Sequence, residues 1–365
     1  MIEIRLLNKQ LLSEFINSRE YQKLKHLPIS KHRAISHIKN PRANDTDILL
    51  LLAFQNKQLV GYLGVLPEQI INNNKVEKWG WLSCLWIDEN QRDKKIALQL
   101  VQKSLELWNK KILITEFTDP AKRLYDKTKS FVNLKHKKGF RLYVRFSLQT
   151  ILPPKKNLFR KAKSLLKVLD FLLNAIFDCR FYFLNEKLKN ISLKHIEHID
   201  NEIENFIKDK QQNQLFKRRT QELNWILKNP WIINSEEDSN SKKYHFSSVD
   251  KRFEFVPLKI YNKQNKLIAF IIFSRRNDDL KIPYLYHNNC LETIVKVVNY
   301  HLIKWKIKTF TCFHNELALK LKKQSNSALF KKEINRNYLV SNLFDSQLIE
   351  SKFEIQDGDG DCSFT

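Results

Sequence analysis

Apolar residues in the first 150 positions fall into short runs separated by polar turns, and the period of the runs changes along the chain. Between residues 1 and 24, Leu6, Leu7, Leu11, Leu12, Phe15 and Ile16 recur near helical spacing, which predicts an amphipathic helix. A polar, basic loop is expected from His26 through Lys31, His32 and Arg33 to Arg42. Ile48 to Phe54 is too apolar for an exposed strand and short enough for a buried one. Gln55 to Gln58 turns the chain, and Leu59 to Leu66 pairs back as a hairpin. Trp79 to Ile87 predicts a further strand, Ile96 to Asn109 an amphipathic helix, and Lys111 to Phe117 a strand. Another helix is expected to start with Asp119 as N-cap and Pro120 as its first residue.

The pattern then pauses and restarts. Residues 158–185 form an apolar helical candidate with a basic start, suited either to an anionic membrane interface or to a place between two cores. A helix over 193–208 would put His195 and His198 three apart, a surface pair with no third ligand for a metal. Strands at 253–261, 266–275 and 281–286, a helix at 291–305 and a strand at 308–313 repeat the earlier order, as an architectural duplication would. The expected domains are 1–150 and 191–365, joined by a linker over 151–190.

Composition narrows the class. Hydrophobic content of 42% with 24 Phe, 11 Tyr and 7 Trp supports packed interiors. The net charge of +25 points to an anionic partner or to a widely solvated basic surface. Five scattered cysteines without ligand spacing fit a reducing cytoplasm and no metal site. No signal-peptide pattern and no bilayer-spanning run is read, so the expectation is a cytoplasmic protein with possible membrane contact through 158–185. Asp357-Gly-Asp-Gly-Asp361 resembles the opening of a calcium loop but lacks the later glutamate, so a turn before a short terminal strand is expected.

Leu59-Val-Gly-Tyr-Leu-Gly64, Leu85-Trp-Ile-Asp-Glu-Asn-Gln-Arg92, the helix beginning near Ile96-Ala97, and Ala121-Lys-Arg-Leu-Tyr-Asp-Lys127 together resemble the GNAT N-acetyltransferase superfamily over about residues 1–146. The resemblance implies an α/β fold of two GNAT-like domains, each a mixed, mostly antiparallel twisted sheet flanked by helices, with a degenerate second copy. In the family, a loop of Arg or Gln, two residues, Gly, one residue, and Gly or Ala presents amides to the acetyl-CoA pyrophosphate. Here Arg92 and Ala97 match, while Lys95 stands at the central glycine. Its amide is expected at ordinary negative φ, with Lys94 or Lys95 adding charge.

By this resemblance Leu85, Trp86, Ile87, Arg92, Asp93, Lys94, Lys95, Ile96, Ala97 and Asp119 would hold the cofactor. Tyr125 would protonate the leaving thiolate. Glu116 is the candidate for the general base, with Glu68 as the alternative, and Arg33 and Arg42 would hold an anionic acceptor. The implied activity is N-acyl transfer to an amine, with an amino sugar of a cell-surface polysaccharide as the expected acceptor. The rivals are a non-catalytic binding module and an aminoacyl transferase using charged tRNA. No DNA partner is expected, and Asn315, Glu316 and the junction His287-Asn-Asn-Cys290 receive no role.

Overall fold

The computed structural model describes residues 2–72, 75–184, 188, 190–235, 243–324, 327–345, 349 and 352–364. The chain opens with β1 (Glu3–Leu7), α1 (Lys9–Asn17), α2 (Arg19–Lys23), α3 (Lys31–Ile38), β2 (Leu50–Gln55), β3 (Gln58–Asn72) and β4 (Lys75–Ile87). A 3-10 turn at Glu89–Lys94 leads to α4 (Ile96–Leu107), β5 (Ile112–Thr115), α5 (Asp119–Thr128) and β6 (Phe131–Tyr143). Helices α6 (Leu148–Ile151), α7 (Asn157–Lys161), α8 (Lys163–Asp178) and α9 (Arg180–Leu184) follow, then β7 (Ser192–His195), α10 (Asn201–Lys208) and α11 (Thr220–Lys228). The remainder is β8 (Ile233–Asn234), β9 (Val249–Asp250), β10 (Phe253–Tyr261), β11 (Leu267–Arg276), β12 (Asp279–His287), α12 (Leu291–Lys304), β13 (Thr309–Cys312), α13 (Asn315–Gln324) and β14 (Phe330–Ser341).

Two compact units are formed, and they are interleaved rather than consecutive. Unit 1 takes residues 1–136, 198–253 and 336–365; unit 2 takes 137–197 and 254–335. In unit 1 the strand order is β1-β2-β3-β4-β5-β14, with β4 and β5 parallel and the other neighbours antiparallel. In unit 2 the order is β6-β13-β12-β11-β10-β7, with β12 and β13 parallel. Each unit therefore repeats a meander, a crossover helix and a parallel strand. The strand that follows β5 in sequence, β6, lies beside β13, and the strand that follows β13, β14, lies beside β5. This exchange is why the chain does not divide at 150 and 190: a hydrophobic pattern locates a strand but not its partner.

Local chemistry explains the differences from the sequence expectations. Residues 1–24 are a strand and two helices, because Asn8 and Ser18 start new helices by accepting N–H bonds from Leu11 and Tyr21 at 2.9 and 3.1 Å. The expected basic loop contains α3, capped by the Ser30 hydroxyl. Thr118, not Asp119, caps α5, which leaves Asp119 as its first residue and Pro120 inside the first turn. Residues 193–208 divide where Asp200 caps α10 through the Ile203 N–H at 3.1 Å; His195 lies in β7 and His198 in the loop beyond it. The 158–185 segment is three helices. The tail after Gln356 forms a turn and a short 3-10 helix at Cys362–Phe364, not a strand.

In unit 1, β2 is almost wholly buried on both faces, between two apolar layers. One layer joins α4 and α5 to the sheet through Leu82, Ile96, Leu100, Val101 and Tyr125. The other packs α1 to α3 and Tyr244 against Leu50, Leu52, Phe54 and Tyr62.

Candidate functional site

Strand β4 governs the site. Gly64 pairs with Ser83 and Tyr62 with Trp86, so Leu63 faces two residues, Cys84 and Leu85. This is a β-bulge, and Cys84 takes the extra residue at φ 57°. The ladder between β4 and β5 consists of Gly80↔Ile112 and Trp81↔Leu113, after which β5 continues against β14 alone. Beyond Trp81 the two parallel strands therefore part, opening a cleft whose β4 edge is the bulge. Backbone polar groups released along that edge can receive a carbonyl or an amide from a ligand.

Below the cleft the chain turns into α4. Asp88 accepts the Asn90 N–H at 2.9 Å, the 3-10 turn follows, and Lys95 sits at φ 56°, ψ 20°. The expectation of an ordinary negative φ is thus corrected: the left-handed conformation of a glycine position is kept, with a lysine in it. A side chain there costs about 1 kcal/mol or slightly more. The N-terminus of α4 has no side-chain cap, so its first amides are available to an anion. Ala97 is half-buried and Ile96 is buried against the sheet. Lys95 is exposed at the turn, and Lys94 is exposed with its ammonium 3.1 Å from Gln55 Oε1. Arg92 and Asp93 lie within the 3-10 turn.

Tyr125 lies in the α4–α5 layer, buried between Phe117 and Phe131, with ring centroids 6.1 and 5.7 Å away. Burial, reinforced by the charge of Asp361, pushes its phenol pKa up, so the ring keeps its proton at neutral pH. On the other face, the Ser83 hydroxyl donates to an Asp361 carboxylate oxygen. Burial pushes the Asp361 carboxyl up, against the pull of the Ser83 bond. Gly360, at φ 74°, lies flat on Trp81: a Cβ there would be 3.1 Å from the indole Cδ2. The tail is therefore a wall of the cleft, and Asp361 is the functional candidate that sequence reasoning missed. The spacing of Asp357-Gly-Asp-Gly-Asp361 points only to an incomplete calcium loop or a turn, with no sign of Ser83 as partner. Among the described residues no group of three or more His, Cys, Asp or Glu stands together as metal ligands.

The other expected site residues have internal partners. Arg33 is buried beside the bulge, donating to Ser83 Oγ at 2.9 Å, to Tyr244 OH at 2.8 Å and to Cys84 Sγ, with its guanidinium 4.0 Å from the Trp231 ring centroid. Arg42 is buried between Glu68 and Glu222, and Glu68 also takes Arg218 at 2.7 Å. Burial, with the charge of Arg218 beside it, brings the Arg42 guanidinium down to about 10. Arg218 further pairs with Asp359 at 3.0 Å, so these ions tie the tail and the 198–253 segment to β3. The basic-loop expectation is corrected accordingly: neither arginine lies on an open loop, and both are structural cations at the wall of the cleft. Glu116, at φ 48°, pairs with Arg336 at 2.7 Å, which also donates to Asp357 O at 3.0 Å. Leu85 and Ile87 are half-buried on β4. Trp86 stacks on Tyr62 at 5.3 Å and meets the tilted His245 ring at 4.9 Å, and His26 joins that group. A separate open pocket of about 370 Å³ lies by α5, β6 and β14, but its Lys122 is paired with Asp126 and its His136 with Asn337.

The site is thus a mixed sheet split between two parallel strands, with a bulge on one edge and an uncapped helix start below. Residues 13–131 match the family described as acetyltransferase (GNAT). The likeness to that family therefore lies in the N-terminal part of the chain. No curated protein matches it in sequence. Among solved structures it resembles a probable N-acyltransferase from Enterococcus faecalis, with TM-score 0.52 and 10% identity over 96% of this chain and 75% of that one. A GCN5-related N-acetyltransferase from Anabaena variabilis gives TM-score 0.51 and 12% identity over 93% and 72%. The Saccharomyces cerevisiae N-myristoyltransferase with bound myristoyl-CoA gives 0.51 and 10% over 93% and 78%. These likenesses establish the fold of the chain.

Proposed function

We propose that unit 1 transfers an acyl group from acetyl-CoA or a longer acyl-CoA to a primary amine. The observation that carries this reading is the split between β4 and β5, flanked by the buried phenol of Tyr125 on one face and the half-buried carboxyl group of Asp361 on the other. The amides of Ile96 and Ala97 and the ammonium of Lys95 would hold the pyrophosphate. An N–H of the β4 bulge would polarise the thioester carbonyl. Asp361 would take the proton from the ammonium acceptor, so that the amine lone pair forms the new C–N bond. Tyr125 would give its proton to sulfur as the C–S bond breaks, and the second proton of the former ammonium would restore the phenol as the amide forms. Asp361 replaces Glu116 as the base in this reading, because Glu116 is held by Arg336.

The acceptor reading also moves. Arg33 and Arg42 do not offer charge to a diphosphate, whereas Trp86, His26 and His245 present a half-open aromatic group beside the bulge. Flat aromatic faces suit the apolar face of a sugar ring, which favours an amino sugar as acceptor. The test is thiol release from acetyl-CoA and longer acyl-CoA donors with a panel of amino sugars and amino-terminal peptides. Turnover that falls at least about 100-fold in Asp361→Asn and in Tyr125→Phe supports the proposal. CoA binding without turnover on any amine would favour the non-catalytic binding module instead.

A further inference from the structure

Helix α8 in unit 2 turns its polar residues inward and its apolar residues outward. Asp170 accepts the N–H groups of Leu148 and Gln149 at 2.7 and 3.0 Å, which caps the short helix α6. Asn174 bonds both ways to the Phe146 backbone, at 2.8 and 2.9 Å. Leu166, buried on the same side, completes the inner stripe. At Asp178, the end of the helix, the carboxylate pairs with the Arg145 guanidinium at 2.9 Å. Both acids of the segment are therefore committed to the protein.

The outer stripe has no such partners. Leu165, Val168, Leu169, Leu172 and Ile176 recur at helical spacing and are exposed, with Leu165 at 68% and Ile176 at 67%. Phe171 flanks them at 73%, and Leu158 on α7 and Tyr182 on α9 extend the exposed apolar surface. A contiguous apolar surface of this kind marks a docking face. Its N-terminal flank carries Lys155, Lys156, Arg160, Lys161, Lys163 and Lys167, all exposed. Nothing acidic stands among the residues from 155 to 167.

We infer that α7 and α8 lie in the interface of a membrane rich in anionic phospholipid. The aliphatic and aromatic stripe enters the acyl boundary, and the lysines and Arg160 meet the headgroups. This arrangement is that of an interfacial amphipathic helix with a basic flank. Charge selects the occupant. In a second copy of this chain, the basic flank would face either its own counterpart or the end bearing Arg180, so like charges would meet. No helix among the described residues is long and apolar enough to cross a bilayer, so the helix lies along the surface.

The experiment is sedimentation of the full chain with vesicles of phosphatidylcholine alone and of equal parts phosphatidylcholine and phosphatidylglycerol. Binding to the anionic vesicles, weakened by salt, is expected. A Lys161→Ala, Lys163→Ala, Lys167→Ala variant should lose roughly fivefold per cation removed. A Phe171→Glu, Leu172→Glu variant should lose binding while retaining the far-ultraviolet circular dichroism spectrum and thermal midpoint of the parent, which report on its fold. No vesicle binding, or equal binding to neutral vesicles with no effect of the lysines, overturns the inference. So does light scattering that shows the Phe171→Glu, Leu172→Glu variant dissociating a dimer without any effect on lipid, or capture of RNA in place of vesicles.

Discussion

Lys95 shows how one residue can hide a site. The motif that this loop resembles has a glycine where Lys95 turns left-handed, and this chain has only 6 glycines. Its positive-φ positions are mostly asparagine and lysine: Asn56, Lys57, Lys95, Lys129, Asn265 and Lys306 among them. A glycine signature was therefore a poor guide here, although the conformation it stands for is present. Lys95→Gly should stabilise unit 1 by up to about 1 kcal/mol, read as a higher denaturant midpoint at unchanged slope. A lower midpoint would show that the lysine side chain makes a contact worth more than the strain. His301 carries a second residue-scale prediction. Burial holds its imidazole pKa down at about 4, against an ordinary value of 6.5. The unfolded chain takes up the proton first as pH falls, so stability present above pH 6.5 is lost towards pH 4, by about 3 kcal/mol. The thermal midpoint of the parent should fall relative to that of a His301→Leu variant over that range; parallel curves would contradict the assignment.

At the scale of elements, the strand β4, the helix α4 and the helix α5 were legible because each has a strong period and little competition. What was not legible was contact between distant segments. Asp359 and Asp361 read as a surface turn, yet Asp359 meets Arg218 and Asp361 meets Ser83 inside unit 1. Glu68 and Arg42 read as open charges because spacing along the chain gives no sign of a partner more than a hundred residues away. The buried set Arg42, Glu68, Arg218, Asp359 and Glu222 should be intolerant of single losses. Arg218→Met strands the buried Asp359 and leaves Glu68 to Arg42 alone, and should cost about 3–5 kcal/mol, measured by equilibrium unfolding. A cost below about 1 kcal/mol would mean that the ions do not hold the tail in place. For catalysis, Asp361 acts as a base only when ionised, and burial raises its pKa. The rate should therefore rise with pH through that raised value, and Asp361→Asn should abolish the rising limb as well as lower kcat. A variant that keeps the limb would assign the base elsewhere.

The whole molecule is a doubled α/β architecture in which β6 and β14 have exchanged places. The repeat of elements was visible in the sequence, since both halves run from a meander through a crossover helix to a parallel strand. The exchange was not, because β6 and β14 carry similar alternating patterns and either could complete either sheet. Its consequence is functional: the residues that return with β14 bring Arg336, which holds Glu116, and the tail that carries Asp361 into unit 1. The central claim is that the turn before α4 holds the pyrophosphate of an acyl-CoA despite Lys95. Isothermal titration of the intact chain with acetyl-CoA and CoA, beside a Lys95→Glu variant, tests it most directly. The account predicts micromolar binding of both ligands in competition, weakened at least about tenfold by the variant. Absence of binding, or binding indifferent to the charge at position 95, would contradict it.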